Sequence, residues 1–117
     1  MLINIQGTGI ELTEALRDYA EKRAQASEKY FENIQQIDID IGRLTKHHNK
    51  GSVYYAEANV HIPGKLVRVT EEAEDLYEAI DHMKNGIKSE LEKVKGKMRT
   101  QDRKQLRSHK AYGALEA

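Results

Sequence analysis

Cysteine is absent from the 117 residues, which excludes disulfide staples and thiolate metal sites together and leaves nothing that argues for an oxidising compartment. Tryptophan is missing as well, and one phenylalanine with six tyrosines makes up the aromatic content. With so few aromatics, sequence-specific stacking on nucleobases is not strongly indicated. No stretch approaches the roughly 20 apolar residues that span a bilayer. The opening MLINIQGTGIEL has neither the basic start nor the long apolar run of a signal peptide. A soluble, cytosolic protein without membrane contact is the expectation. At 117 residues and 38% hydrophobic content, the chain supports one modest core and no second domain with a core of its own.

Net charge is lacking too, because 19 basic side chains balance 19 acidic ones. The balance hides a separation along the chain. Residues 1–83 hold 9 Lys/Arg and 15 Asp/Glu, a net −6, whereas residues 84–110 hold 10 and 3, a net +7. Attraction follows local potential rather than the total, so this asymmetry points to a nucleic acid or another acidic surface.

The hydropathy pattern gives an order of elements. Ile3 and Ile5 alternate with Asn4 and Gln6 before Gly7 and Gly9, a short first strand. Thr13 is placed to cap a helix over about 14–31, with Leu16, Ala20, Ala24, Ser27 and Phe31 at helical spacing. Ile37, Ile39 and Ile41 alternate with Asp38, Asp40 and Gly42, a strand wet on one side. A polar hairpin loop at 46–51 leads to a third strand with Tyr54, Ala56, Ala58, Val60 and Ile62 on one face. The only proline, Pro63, with Gly64 marks a turn into a fourth strand over 66–70, where Val67 and Val69 point inward. These last three strands form an antiparallel meander. Asp75 and Glu78 have capping-box spacing, and from there Leu76, Ile80, Met83, Ile87, Leu91, Val94 and Met98 make a narrow helical stripe. The predicted fold class is α+β, β-α-β-β-β-α, with both helices packed on one face of a four-stranded sheet. It occupies residues 1–98 as one domain, with 99–117 a polar, basic, flexible tail.

Catalytic chemistry finds little support. His47, His48, His61, His82 and His109 lack ligand spacing, and there is no HExxH motif or cysteine pair. His61 reads as a strand residue on the wet face and His82 as a helix-surface residue. Glu71, Glu72, Glu74 and Asp75 precede a helix, where negative charge complements its dipole, so capping rather than acid/base work is their expected role. Nucleophile elbow, phosphate loop and dinucleotide fingerprint are all missing. No enzyme activity, metal, cofactor or small-molecule substrate is expected.

What remains is a basic set: Lys84, Lys88, Lys93, Lys95, Lys97, Arg99, Arg103, Lys104, Arg107 and Lys110, against only Glu90, Glu92 and Asp102 in the same segment. The bland reading is a solvated helix face. The shortage of interleaved carboxylates favours a polyanion, with Arg43, Lys46, Lys50 and Lys65 extending the footprint through phosphate contacts that position without reading sequence.

LTEALRDY at residues 12–19, then LVRVTEEAEDLYEAIDHM at 66–83, resemble the short ribosome hibernation-promoting factors, also called ribosome-associated inhibitors. The resemblance spans about residues 1–97, and its most specific part is DLYEAID, residues 75–81, preceded by Arg68. It implies a partner in the 30S or 70S ribosome, bound at 16S rRNA in the channel between head and platform. Occlusion of the mRNA and tRNA sites at the decoding centre would then silence translation, and the free protein would be a monomer. The RNA-contacting residues it suggests are Lys22, Arg23, Lys29, Lys65, Arg68, Lys84, Lys88, Lys93, Lys95, Lys97 and Arg99. Ala26, Gly86 and Ser89 depart from the basic residues that relatives often carry there, while Lys84 and Lys88 lie close by. The short basic tail also replaces the acidic extension or second domain of some relatives, which implies inhibition without bridging two ribosomes. Two competing readings are a double-stranded RNA binding module unrelated to ribosomes and a protein-interaction module whose basic tail is incidental.

Overall fold

A computed structural model describes residues 1–44 and 53–116, with the side chains of the last helix described through Lys97. The elements run β1 (Leu2–Thr8), α1 (Glu14–Gln25), β2 (Gln36–Arg43), β3 (Tyr54–Ile62), β4 (Lys65–Ala73) and α2 (Leu76–Glu116), with a 3₁₀ turn over Ala26–Lys29 after α1. The expected β-α-β-β-β-α order holds. The hairpin loop at 46–51 falls outside the described residues.

The sheet order is β1-β2-β3-β4. β1 runs parallel to β2, joined to it through α1, and the remaining pairs are antiparallel. Strand parity decides the burial. Ile37, Ile39, Ile41, Ala56, Ala58, Val60, Ile62, Val67 and Val69 are all buried on the helix side, whereas Asp38, Asp40, Glu57, Asn59, Arg68 and Thr70 alternate onto the open face. Pro63-Gly64 makes the β3–β4 turn, with Gly64 at φ +74°, the left-handed value that favours glycine after proline.

Thr13 caps α1 through its hydroxyl, which accepts from the Leu16 amide at 3.2 Å. Leu16, Ala20 and Ala24 face the core from α1, followed by Ser27 and Phe31. The α-helix is shorter than the predicted 14–31. After Gln25 the chain tightens, and the Ser27 carbonyl accepts from both Tyr30 at 3.0 Å and Phe31 at 3.2 Å. Such 3₁₀ closure is common at helix ends and needs no glycine or proline to announce it.

α2 packs on β3 and β4 and also meets α1. Ala79, Ile80, Met83, Ile87 and Leu91 are fully buried and Val94 nearly so, each larger side chain contributing about 1.5–3 kcal/mol. The Asp75 carboxylate accepts from the Tyr77 amide at 3.3 Å and its carbonyl from Ala79 at 2.9 Å. Glu78 pairs with His82 at 3.7 Å instead of reaching back to complete the capping box. Glu71 and Glu72 belong to β4, opposite Ala56 and Tyr55, so of the acidic cluster Asp75 makes the cap. β4 is therefore longer than its predicted 66–70. The α2 backbone continues to Glu116, where the sequence suggested a tail, because Arg, Lys, Gln and Leu sustain a helix already nucleated on the core.

At Gly86 the α2 backbone lies too close to β4 to leave room for a side chain. A Cβ there would lie 2.6 Å from Val69 Cγ1 and 3.2 Å from Glu71 Oε1. Its place in mid-helix is thus set by chain packing, which outweighs the roughly 1 kcal/mol of helix propensity it forgoes.

Candidate nucleic-acid interface

The buried stripe of α2 fixes where its lysines stand. Lys84, Lys88 and Lys95 fall within about 40° of one another around the helix axis, whereas Lys93 and Lys97 are each turned about 160° from Lys95. Contacts identify the first group's flank as the one beside α1. Lys88 Nζ lies over the Tyr30 ring at 5.1 Å, and Lys95 shares a recess with Lys29, Tyr30 and Glu92. Among the described residues, no carboxylate lies within ion-pair distance of Lys22, Lys29, Lys84, Lys88 or Lys95.

The same flank is locked nearer the N-terminus of α2. Tyr19 donates to Asp81 Oδ1 at 2.7 Å, Arg23 Nη2 donates to the Tyr19 hydroxyl at 2.9 Å, and Arg23 Nε sits 3.1 Å from the same Asp81 oxygen. The Arg23 guanidinium also lies 4.6 Å from the Tyr19 ring centroid. The Tyr19 ring meets Tyr77 edge to face at 5.0 Å. Hydrogen bonding to Tyr19, and then the charge of Asp81, hold the Arg23 pKa above its ordinary value. Arg23 is thus a clasp between helices as well as a surface cation.

The other expected contacts are scattered. Arg68 stands on the open sheet face, donating to Asn59 at 3.0 Å and lying 3.9 Å from Glu57. Lys65 is exposed at the β3–β4 turn. Lys93 pairs with Glu90 at 3.2 Å, and Lys97 is exposed. The Arg99 side chain lies outside the described residues, as do Lys46, Lys50, His47, His48 and His109. The structure therefore brings together Lys29, Lys84, Lys88 and Lys95, with Arg23 farther along, and separates Arg68 from them. Tyr30 escaped the sequence reading because the 3₁₀ turn, invisible in the pattern, is what carries it beside Lys88.

The sequence profile of the family described as Sigma 54 modulation protein / S30EA ribosomal protein matches residues 3–99. The chain belongs to that family. Within the S30EA family it is similar to the ribosome hibernation promoting factor of Klebsiella oxytoca, 30% identical over 101 residues that cover 85% of this chain and 98% of that protein. The corresponding factor of Pseudomonas putida is 33% identical over 100 residues, covering 86% and 92%. Among solved structures, the N-terminal domain of Thermus thermophilus Protein Y superposes with a TM-score of 0.68 at 32% identity, covering 80% of this chain and 99% of that one. A ribosomal subunit interface protein from Coxiella burnetii gives 0.69 at 27% identity, covering 82% and 99%.

The segment DLYEAID, which carried the resemblance, now has a physical content in this S30EA member. Asp75 caps α2, Tyr77 and Asp81 engage Tyr19 and Arg23, and Ala79 and Ile80 are fully buried. Its open sheet face is different in kind. Asp38 accepts from Gln36 at 2.7 Å and Asn4 at 2.9 Å, and faces His61 Nε2 at 2.9 Å, which places the His61 proton on that nitrogen because a carboxylate only accepts. Gln36, then Asn4 and His61, hold the Asp38 pKa below its ordinary value. Asp40 accepts from Thr8 at 2.8 Å and Tyr55 at 2.9 Å, and burial together with that bond pushes the Tyr55 hydroxyl pKa up. Tyr55 covers Gly42, where a Cβ would meet its hydroxyl at 2.6 Å. His82 is exposed on α2, as expected. Among the described residues no group of three or more His, Cys, Asp or Glu is arranged to hold a metal, and no helix is long and apolar enough to cross a membrane.

Proposed function

We propose that this protein silences ribosomes by docking on the small subunit and excluding translation ligands, without making or breaking a bond. Membership of the S30EA family and similarity to ribosome hibernation promoting factors support the ribosome as partner and the cytoplasm as its setting. The observation that carries the docking mode is the grouping of Lys29, Lys84, Lys88 and Lys95 beside the α1–α2 seam, with no carboxylate at ion-pair distance among the described residues. A cation flank of this kind steers the protein to rRNA phosphates. The acidic open sheet face turns away from RNA. We place the footprint on 16S rRNA in the decoding channel, where a bound domain of this size denies mRNA and tRNA the same volume.

Sedimentation with purified ribosomes tests the proposal. Co-migration with small subunits or whole ribosomes, displaced by mRNA and tRNA, is expected. Four phosphate contacts give a slope of about −3 in log affinity against log salt. Binding only to free duplex RNA, or a flat salt response, overturns it.

A further inference from the structure

Among the described residues, the large hydrophobic side chains left exposed are Met1, Leu2, Leu66 and Tyr77. Leu2 and Leu66 stand at the two edges of one row across the open sheet face, through Gln36 and His61. Tyr77 is the aromatic of the set, with 39% of its surface open to solvent. Among the described residues its hydroxyl takes no hydrogen bond from a protein group. It stands on the cation flank: around α2 it shares its direction with Lys84, Lys88 and Lys95 to within about 20°. Along the axis Lys84 follows it by about 10 Å and Lys88 by a further 6 Å. The flank therefore presents an aromatic surface, then the Asp81 carboxylate engaged by Tyr19 and Arg23, and then a file of cations, with Tyr77 supported from one side by Tyr19.

We infer that Tyr77 is a stacking platform for an unpaired nucleobase, whose neighbouring phosphates run along Lys84 and Lys88. The ligand class is therefore single-stranded or bulged RNA, because a base within a duplex has no free face to offer. Packing against Tyr19 holds the ring in place before RNA arrives, so little side-chain freedom is lost on binding. The base contact adds affinity that salt does not screen, and it supplies register that lysine–phosphate contacts lack. This inference rests on the proposed docking to rRNA and assigns the kind of RNA element that the flank accepts.

The test compares Tyr77→Phe and Tyr77→Leu in binding to purified small subunits across a salt series, with thermal unfolding of each protein measured alongside. The leucine variant is expected to bind about tenfold more weakly with an unchanged salt slope. The phenylalanine variant, which keeps the ring, is expected to bind within about twofold of wild type. Wild-type affinity in the leucine variant, or equal losses in both variants, overturns the inference while leaving the ribosome reading intact. If wild-type protein itself does not bind small subunits, the proposed function fails and takes this inference with it. Ultraviolet cross-linking of the unmodified protein to small subunits gives a readout independent of variant folding. Mass spectrometry is expected to find a nucleotide adduct on Tyr77, and its absence overturns the inference.

Discussion

The α1–α2 flank and the open sheet face come out electrically opposite. On the flank, Lys88 lies over Tyr30, and Lys95 shares the Tyr30 recess with Lys29 and Glu92 without an ion pair among the described residues. On the sheet, carboxylates are enclosed by donors from adjacent strands, Asp38 by Gln36, Asn4 and His61, and Asp40 by Thr8 and Tyr55. Zero net charge is therefore compatible with a directed surface. Charges satisfied internally fix strand neighbours, and those without an internal partner among the described residues give the flank its polarity.

The largest expected break in that comparison comes from reversing Lys84, Lys88 and Lys95 together to glutamate. Ribosome affinity should fall at least about a hundredfold and the salt slope should collapse, because about three counterion-releasing contacts are lost. Neutralising Asp38, Glu57 and Glu72 on the sheet as amides should leave affinity within about twofold, so an equal loss from both triples in a filter-binding assay would dissolve the distinction between the faces.

Next in size is Gly86→Ala. Alanine is the better helix former, yet its methyl must displace Val69 at 2.6 Å, so urea unfolding should show a net loss of about 1–2 kcal/mol. A gain in stability would show that the seam between α2 and β4 yields. Asp81→Ala should cost about 1 kcal/mol through the hydrogen bond Tyr19 loses. Freed from its clasp, Arg23 should gain mobility in side-chain NMR relaxation.

The smallest effect concerns acid. The Asp38 pKa lies below its ordinary value in the folded protein, so its contribution to stability is present above the unfolded value near 3.9 and is lost as pH falls through the folded one. Stability measured from pH 6 to pH 2.5 should therefore drop less steeply below about pH 4 in Asp38→Asn than in wild type. An identical profile would mean that the carboxylate's donors do nothing for the folded state.

Much of the fold was legible because period and parity decide burial. The alternation of Ile37, Ile39 and Ile41 and the stripe from Ile80 to Val94 are statements about which face is dry, and the structure buries those residues. Less legible were boundaries set by long-range pairing. β4 extends through Glu71 and Glu72 because β3 supplies partners at Ala56 and Tyr55, a fact absent from the local pattern, which read those glutamates as helix-capping charge. The candidate site was legible as composition. Grouping Lys84 and Lys88 with Lys95 follows from helix geometry, but Lys29 and Tyr30 join them only through the 3₁₀ turn, and Arg68 is separated from them by strand parity.

Gly86 also narrows the routes open to sequence change. A side chain there meets β4 before it meets a ligand, so variation at this position is tied to the height of α2 above the sheet. The exposed Lys88, two residues on, can be exchanged without touching that seam. The charge carried by the flank is therefore free to drift while the backbone geometry that presents it stays put, and selection can tune one without disturbing the other.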